Sequence, residues 1–375
     1  MRKKYEINYQ LFEETTHSPA LIDIVDEEII GEFIDYCFIA NPYYPTPEML
    51  EELKSKMTQI IKAYPSSNPR LARENLASVL NINPNFLILG NGATELITII
   101  ERTLIRKIAI PVPTFSEYIE KLKTRKAAKL YQLLPDKNFE LNIKDYARWI
   151  KENKINSALI INPGNPTGQL LNVSEIKWFL NEMSHLDLIL LDESFIDFSA
   201  VAIPSIIDSV QDYKNLIIVR SMSKHCGVPG LRLGYCCMSN QGFISEITNS
   251  LPVWNINSIA EYFLLQLQKT NKEYHESRLH VITDTKDLYD KLIRISGYKV
   301  YPTGSNFIFI KIEFEMKARE LQQKLLEYFG VYVRDCSNKE GLDEYHIRVS
   351  SQGKEKDFYL IEALTQITKE HFITN

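Results

Sequence analysis

The sequence predicts a doubly wound α/β fold followed by a smaller α+β module. Three features carry this expectation. Short apolar runs alternate with helical stretches from residue 86 to about residue 255. The runs are apolar throughout instead of alternating with polar residues, the pattern of parallel strands covered by helices on both faces. Beyond residue 255 a long helical stretch gives way to a strand-rich tail.

Taken in order, residues 1–45 read as an irregular arm ending in the Pro/Tyr cluster Asn41-Pro42-Tyr43-Tyr44-Pro45. A helix over 47–62 starts on Pro47 with an acidic first turn, which suits both the free N–H groups and the dipole there. Tyr64-Pro65-Ser66-Ser67-Asn68-Pro69 breaks it, and a second helix covers 70–80. Strands are expected at Phe86–Leu89, Lys107–Pro111, Ala158–Asn162, Leu188–Asp192 and Leu216–Arg220. A helical stretch from Ser258 to about Ile295 precedes strands at Ser305–Ile312, Val331–Val333 and Tyr345–Val349. The expected organisation is an arm joined to the small domain (1–45), a large domain (46–255) and a small C-terminal domain (256–375).

The 375 residues are 45% hydrophobic, ample for two cores. A net charge of -5 implies no general affinity for polyanions, so nucleic acid is not an expected partner. The five cysteines are scattered, odd in number and free of CxxC pairs, which argues for reduced thiols and a cytoplasmic setting. No apolar run reaches membrane length, and no apolar stretch follows Met1-Arg2-Lys3-Lys4. No metal-ligand spacing stands out.

Four segments at strand ends carry unusual residues, where an open α/β sheet binds its ligands. Gly90-Asn91-Gly92-Ala93-Thr94 opens a helix whose first N–H groups suit a phosphate, although such a turn also occurs without a ligand. Asn162-Pro163-Gly164-Asn165-Pro166-Thr167-Gly168 is either a rigid turn or a means of presenting the Asn165 amide. Asp192 closes an apolar strand, so it caps a helix or meets a cationic partner such as a protonated pyridine nitrogen. Ser221-Met222-Ser223-Lys224 follows another strand, and Arg232 lies eight residues on. Lysine forms imines with aldehydes once its pKa is depressed, and Ser and Arg hold dianionic phosphates.

Together these segments resemble the class I/II aminotransferases that depend on pyridoxal 5′-phosphate (PLP). The order of motifs matches along nearly the whole chain, and the run SxSKxxGxxGxRxGY from Ser221 to Tyr235 is the most specific part. Within the family the chain looks most like the branch holding histidinol-phosphate aminotransferase and threonine-phosphate decarboxylase. Val331-Tyr332-Val333-Arg334-Asp335-Cys336 leans towards the decarboxylase.

The resemblance implies fold type I: a mixed, mostly parallel seven-stranded sheet between helices, plus the smaller α+β domain. It implies Lys224 as the Schiff-base lysine and proton shuttle, and Asp192 as the partner of the pyridinium nitrogen. Asn165 would serve the ring oxygen, Phe115 would stack on the ring, and Gly92, Ala93, Thr94, Ser221, Ser223 and Arg232 would surround the cofactor phosphate. Tyr64 would reach the cofactor of a partner subunit, implying a homodimer. Arg348, Arg334 and Asn41 would meet the substrate. Two positions depart from the family pattern. Phe195 stands where histidinol-phosphate aminotransferases carry Tyr, and Thr16-His17-Ser18-Pro19 replaces the His-Gly-Gly of threonine-phosphate decarboxylases.

Two functions lead, with two more behind them. The first is transamination of a small phosphorylated or phosphonate amine or ketone, with an amino acid such as glutamate as partner. The second is decarboxylation of L-threonine or L-serine O-phosphate. Histidinol-phosphate transamination and a non-catalytic PLP-binding role rank below both.

Overall fold

The computed structural model describes residues 4–14, 17–202 and 204–374. Its first strand, β1 (Ile34–Asp35), lies outside the main sheet. Seven strands then build that sheet: β2 (Leu87–Asn91), β3 (Ile108–Val112), β4 (Ala128–Gln132), β5 (Ser157–Ile161), β6 (Leu188–Asp192), β7 (Leu216–Ser221) and β8 (Leu233–Cys237). Their order is β2-β8-β7-β6-β5-β3-β4. Only β8 runs against its neighbours; the other pairs are parallel. β3, β5, β6 and β7 are apolar on both faces because helices cover both.

Two of these strands escape the sequence pattern. β4 lies at the sheet edge and is half exposed, so Lys129 and Gln132 interrupt its apolar run. β8 carries Gly234 and two cysteines and falls inside the motif that ends at Tyr235.

The C-terminal part holds β9 (Tyr298–Val300), β10 (Phe307–Ile312), β11 (Val331–Tyr332), β12 (Arg334–Asp335) and β13 (His346–Ser350). β12-β13-β10-β9 form an antiparallel sheet packed on the helices Asn271–Leu292, Ala318–Phe329 and Lys354–Thr374. β1 pairs with β11, tying the N-terminal arm to this part. The expected helical stretch from Ser258 is two helices, Ser258–Gln266 and Asn271–Leu292. The first packs with Ala72 and Leu76 in the large-sheet core. The change of packing partner runs along Asn271–Leu292: Tyr274 still packs on the large-sheet core, whereas Leu288 and Leu292 join the small-sheet core.

Candidate active site

The carboxyl ends of β6 and β7 open into a cavity of about 420 Å³ that also touches the N-terminal arm and the small sheet. Ala93, Thr94, Phe115, Asn165 and Asp192 line it, as do Ser221, Lys224, Arg232, Arg334 and Arg348. Residues scattered over more than 250 positions of sequence thus converge because each follows a strand end or sits on the facing sheet. An open groove of about 840 Å³ near Lys137 and Trp178 gathers none of them.

Lys224 stands on a single helical turn, Met222–His225, directly after β7. Burial brings its pKa down to about 8, and the nearby Arg348 and Arg232 act in the same direction against Asp192. A lysine whose charge is disfavoured in this way is more often the neutral amine, and so a better nucleophile than a surface lysine. Asp192 ends β6 in buried surroundings, and desolvation raises its pKa. Donors oppose that shift: Ser194 N–H reaches Oδ1 at 2.8 Å and the Tyr118 hydroxyl reaches Oδ2 at 2.8 Å.

The opposite wall is built for an anion. Helix Ala93–Thr103 points its N-terminus at the cavity, with Gly92 as N-cap at φ +76°. A Cβ at Gly92 would lie 2.5 Å from Arg232 Nη2, so only glycine lets that guanidinium approach the helix end. Arg232 itself takes a left-handed φ of 54°, and its Nη1 donates to Pro229 O at 3.0 Å and Ser223 Oγ at 3.5 Å. Ser223 thus sits behind Arg232 and is not part of the cavity wall.

On the small-sheet side, Arg334 and Arg348 are cross-strand partners in the β12–β13 ladder. Arg348 Nη1 donates to Asn165 Oδ1 at 2.8 Å and Nη2 to Cys37 O at 2.6 Å, while its buried Nε has no acceptor among the described residues. Arg334 Nη1 contacts Ser18 Oγ, and Nη2 donates to Asn338 Oδ1 at 2.8 Å. Lys339, His17 and Ser18 complete this end, and of the three Lys339 carries no motif in the sequence. His17 and Ser18 occupy it although the arm lacks the glycine pair; Thr16 lies outside the described residues.

Asn41 and Tyr64 stand outside the cavity wall of this chain. The Asn41 Nδ2 donates to His225 O and Ser277 Oγ and its Oδ1 accepts from Tyr43 N–H, so both ends of the amide are engaged in holding the backbone around the lysine turn. His225 faces away from the cavity too, bonding Tyr274 at 2.8 Å. Tyr64 is 86% exposed and rests against Trp254, with ring centroids 5.4 Å apart. Phe195 does line the cavity, edge-on to Phe307, and brings no hydroxyl there.

The profile of aminotransferase class I and II matches residues 35–364. The chain belongs to that family. An L-serine phosphate decarboxylase of Campylobacter jejuni is 32% identical over 374 residues, covering 95% of this chain and 94% of its own. Among solved structures, a decarboxylase from Sulfurospirillum multivorans superposes with a TM-score of 0.82 at 28% identity, covering 94% of this chain and 92% of that one. A histidinol-phosphate aminotransferase from Clostridium acetobutylicum gives 0.81 at 26% identity, covering 90% and 99%.

The fold is that of the fold type I PLP-transferases, and the cofactor is pyridoxal 5′-phosphate. The cavity fits it on its own chemistry. It offers a lysine of depressed pKa, a buried carboxylate suited to a protonated ring nitrogen, and a helix N-terminus with Arg232 for a phosphate. Among the described residues no helix is long and apolar enough to cross a membrane, and no group of His, Cys, Asp and Glu is placed to hold a metal ion.

Proposed function

We propose that this PLP enzyme decarboxylates an O-phospho-L-amino acid of the serine phosphate class. The observation that carries the reading is the facing pair Arg334 and Arg348. Like charges directly opposite in an antiparallel ladder repel, and a buried cation is costly without an anionic partner. Arg348 still has a donor to spend, and Lys339 stands close by. Two anionic groups on one substrate, a carboxylate and a phosphate, would relieve this arrangement.

In this reading Lys224 holds the cofactor, Asp192 keeps its ring nitrogen protonated, and Asn165 serves the ring oxygen through the Nδ2 that Arg348 leaves free. Phe115 covers the ring face. Gly92, Ala93, Thr94, Ser221 and Arg232 surround the cofactor phosphate, with Ser223 fixing Arg232. Bound PLP supplies the sink for the electron pair left at Cα. The substrate amine would take the place of Lys224 on the cofactor, the Cα–carboxylate bond would break with loss of CO₂, and the freed Lys224, in its ammonium form, would return a proton to Cα. The arginines and Lys339 hold the substrate so that the carboxylate bond is the one aligned for cleavage. The full-length similarity to an L-serine phosphate decarboxylase supports placing this reaction ahead of transamination, reversing the order of the sequence reading.

A homodimer belongs to the same proposal. Tyr64 and Trp254, in ring contact and both exposed, offer apolar surface suited to a second copy.

The deciding assay incubates PLP-loaded protein with L-serine phosphate and measures CO₂ and ethanolamine phosphate. Equimolar formation of both is expected. Conversion of the cofactor to its amine form by glutamate, with no CO₂ from any phosphoamino acid, would overturn the reading in favour of transamination.

A further inference from the structure

Lys339 is 7% exposed and belongs to the turn between β12 and β13. Its Nζ donates to Ser116 Oγ at 2.9 Å and lies 5.9 Å from the centre of the Phe115 ring. Among the described residues it forms no ion pair with a carboxylate: Glu117 is taken up by Lys121 at 2.6 Å, and Glu340 by Lys123. A buried ammonium bonded only to a hydroxyl is poorly compensated, and it lines the cavity beside Arg334 and Arg348.

The charges can be counted. If Arg232 serves the cofactor phosphate and Lys224 the cofactor aldehyde, the cations left for substrate are Arg334, Arg348 and Lys339. A substrate with one carboxylate and one phosphate dianion brings three negative charges near neutral pH. Without Lys339 the site matches only two, the charge of a dicarboxylate or of a singly charged phosphate beside a carboxylate.

We propose that Lys339, held between Ser116 and the Phe115 ring, is the residue that selects the phosphorylated substrate, by supplying the third positive charge when the phosphate dianion arrives. The proposal rests on the reading of a phosphorylated substrate given above. Burial brings the Lys339 pKa down to about 7; Arg334 and Arg348 push the same way, while the Cys336 thiol and Glu120 oppose. Across the mouth, Glu117 lies 3.9 Å from His17, and Glu120 is the carboxylate whose charge acts on the lysine without pairing with it. Above neutral pH the free site therefore holds a largely neutral lysine. A dianion beside it favours the ammonium, so binding draws a proton from solvent.

The test uses the PLP-loaded enzyme and two unreactive halves of the substrate, ethyl phosphate and propionate. Calorimetric titration at about pH 8, in two buffers of different ionisation enthalpy, gives affinity and proton uptake together. The wild-type protein should take up about one proton per ethyl phosphate and none with propionate. Lys339→Met should weaken ethyl phosphate on the order of 10- to 100-fold and leave propionate unchanged, which also shows that the variant is folded. Lys339→Arg, permanently charged, should keep phosphate affinity and lose the proton uptake. Ethyl phosphate binding that Lys339→Met leaves intact, an equal loss for both ligands, or uptake that persists in Lys339→Arg would each overturn the role of Lys339 alone. A wild-type protein that binds propionate but no ethyl phosphate would overturn the phosphorylated-substrate reading itself.

Discussion

The Tyr118 hydroxyl donates to Asp192 Oδ2 at 2.8 Å, inside the sheet core and behind the cavity wall. This bond keeps a carboxylate ionised where desolvation favours its neutral form. Tyr118→Phe removes the donor while leaving the ring, and the Asp192 pKa should rise further. If Asp192 partners the cofactor nitrogen, PLP affinity should fall on the order of 10- to 100-fold, the worth of a hydrogen bond to a buried charge. Because the group lost on acidification is a carboxylate of raised pKa, the deficit should grow as pH falls. A PLP dissociation constant matching wild type between about pH 5 and pH 8 would remove Asp192 from that role.

At Gly92 the expectation concerns space and backbone together. Gly92→Ala places a methyl 2.5 Å from Arg232 Nη2 at a φ of +76°. The strained backbone should cost about 1–3 kcal/mol of stability. Displacement of the guanidinium should weaken PLP on the order of 10-fold or more. Gly230→Ala in the same motif is the control, since an added Cβ there meets nothing within 4 Å. Denaturant midpoints and PLP titrations on both variants check this. Equal behaviour of the two would mean that Arg232 does not depend on the open position at Gly92.

Much of this site is legible from the chain alone, and the physical reason is burial. Strand β6 reads as an apolar run closed by Asp192 because both faces are covered and only the end opens on the cavity. Lys224, Asn165 and Arg232 stand out in the same way, at strand ends beside Gly and Ser. Lys339 and Tyr118 carry no such mark. Each reaches the site by tertiary packing, from a turn between two-residue and five-residue strands and from the inner face of a helix. The break between Gln266 and Asn271 contains neither Pro nor Gly, so the two helices read as one. Asn41, which the family resemblance would bring to the substrate, has its amide engaged with backbone and Ser277, a packing relation that sequence does not show.

Behind the lysine turn lies a buried ionic cluster. Arg220 Nη2 donates to Glu193 Oε2 at 2.7 Å and to Ser205 Oγ at 2.6 Å, and its Nη1 lies 3.6 Å from Asp197. Burial alone would raise the Asp197 pKa; His225 and Arg220 reverse that and hold it below its ordinary value. Arg220→Met should strand the buried Glu193 carboxylate and cost about 3–5 kcal/mol, the range for breaking a buried pair from one side. Arg220→Lys keeps the charge but loses the forked geometry, and should fall between. Urea unfolding of the three proteins gives the order; a Met variant as stable as wild type would mean that the cluster contributes no net stability.

The depressed pKa of Lys224 sets the pH at which the free protein captures its cofactor. Only the unprotonated amine attacks the PLP aldehyde, so the capture rate should climb about tenfold per pH unit below the pKa and level off above it. With the pKa brought to about 8, the break should fall there, where an ordinary lysine would show a rising rate to about pH 10. Arg348 is one of the charges that lower this pKa, after burial itself. Arg348→Gln should therefore move the break upward while leaving the plateau rate in place. Stopped-flow absorbance on the cofactor-free protein reads both quantities, and Lys224→Ala should give no lysine-bound absorbance at any pH. A wild-type rate still rising steeply at about pH 9.5 would show that the cavity does not activate this amine.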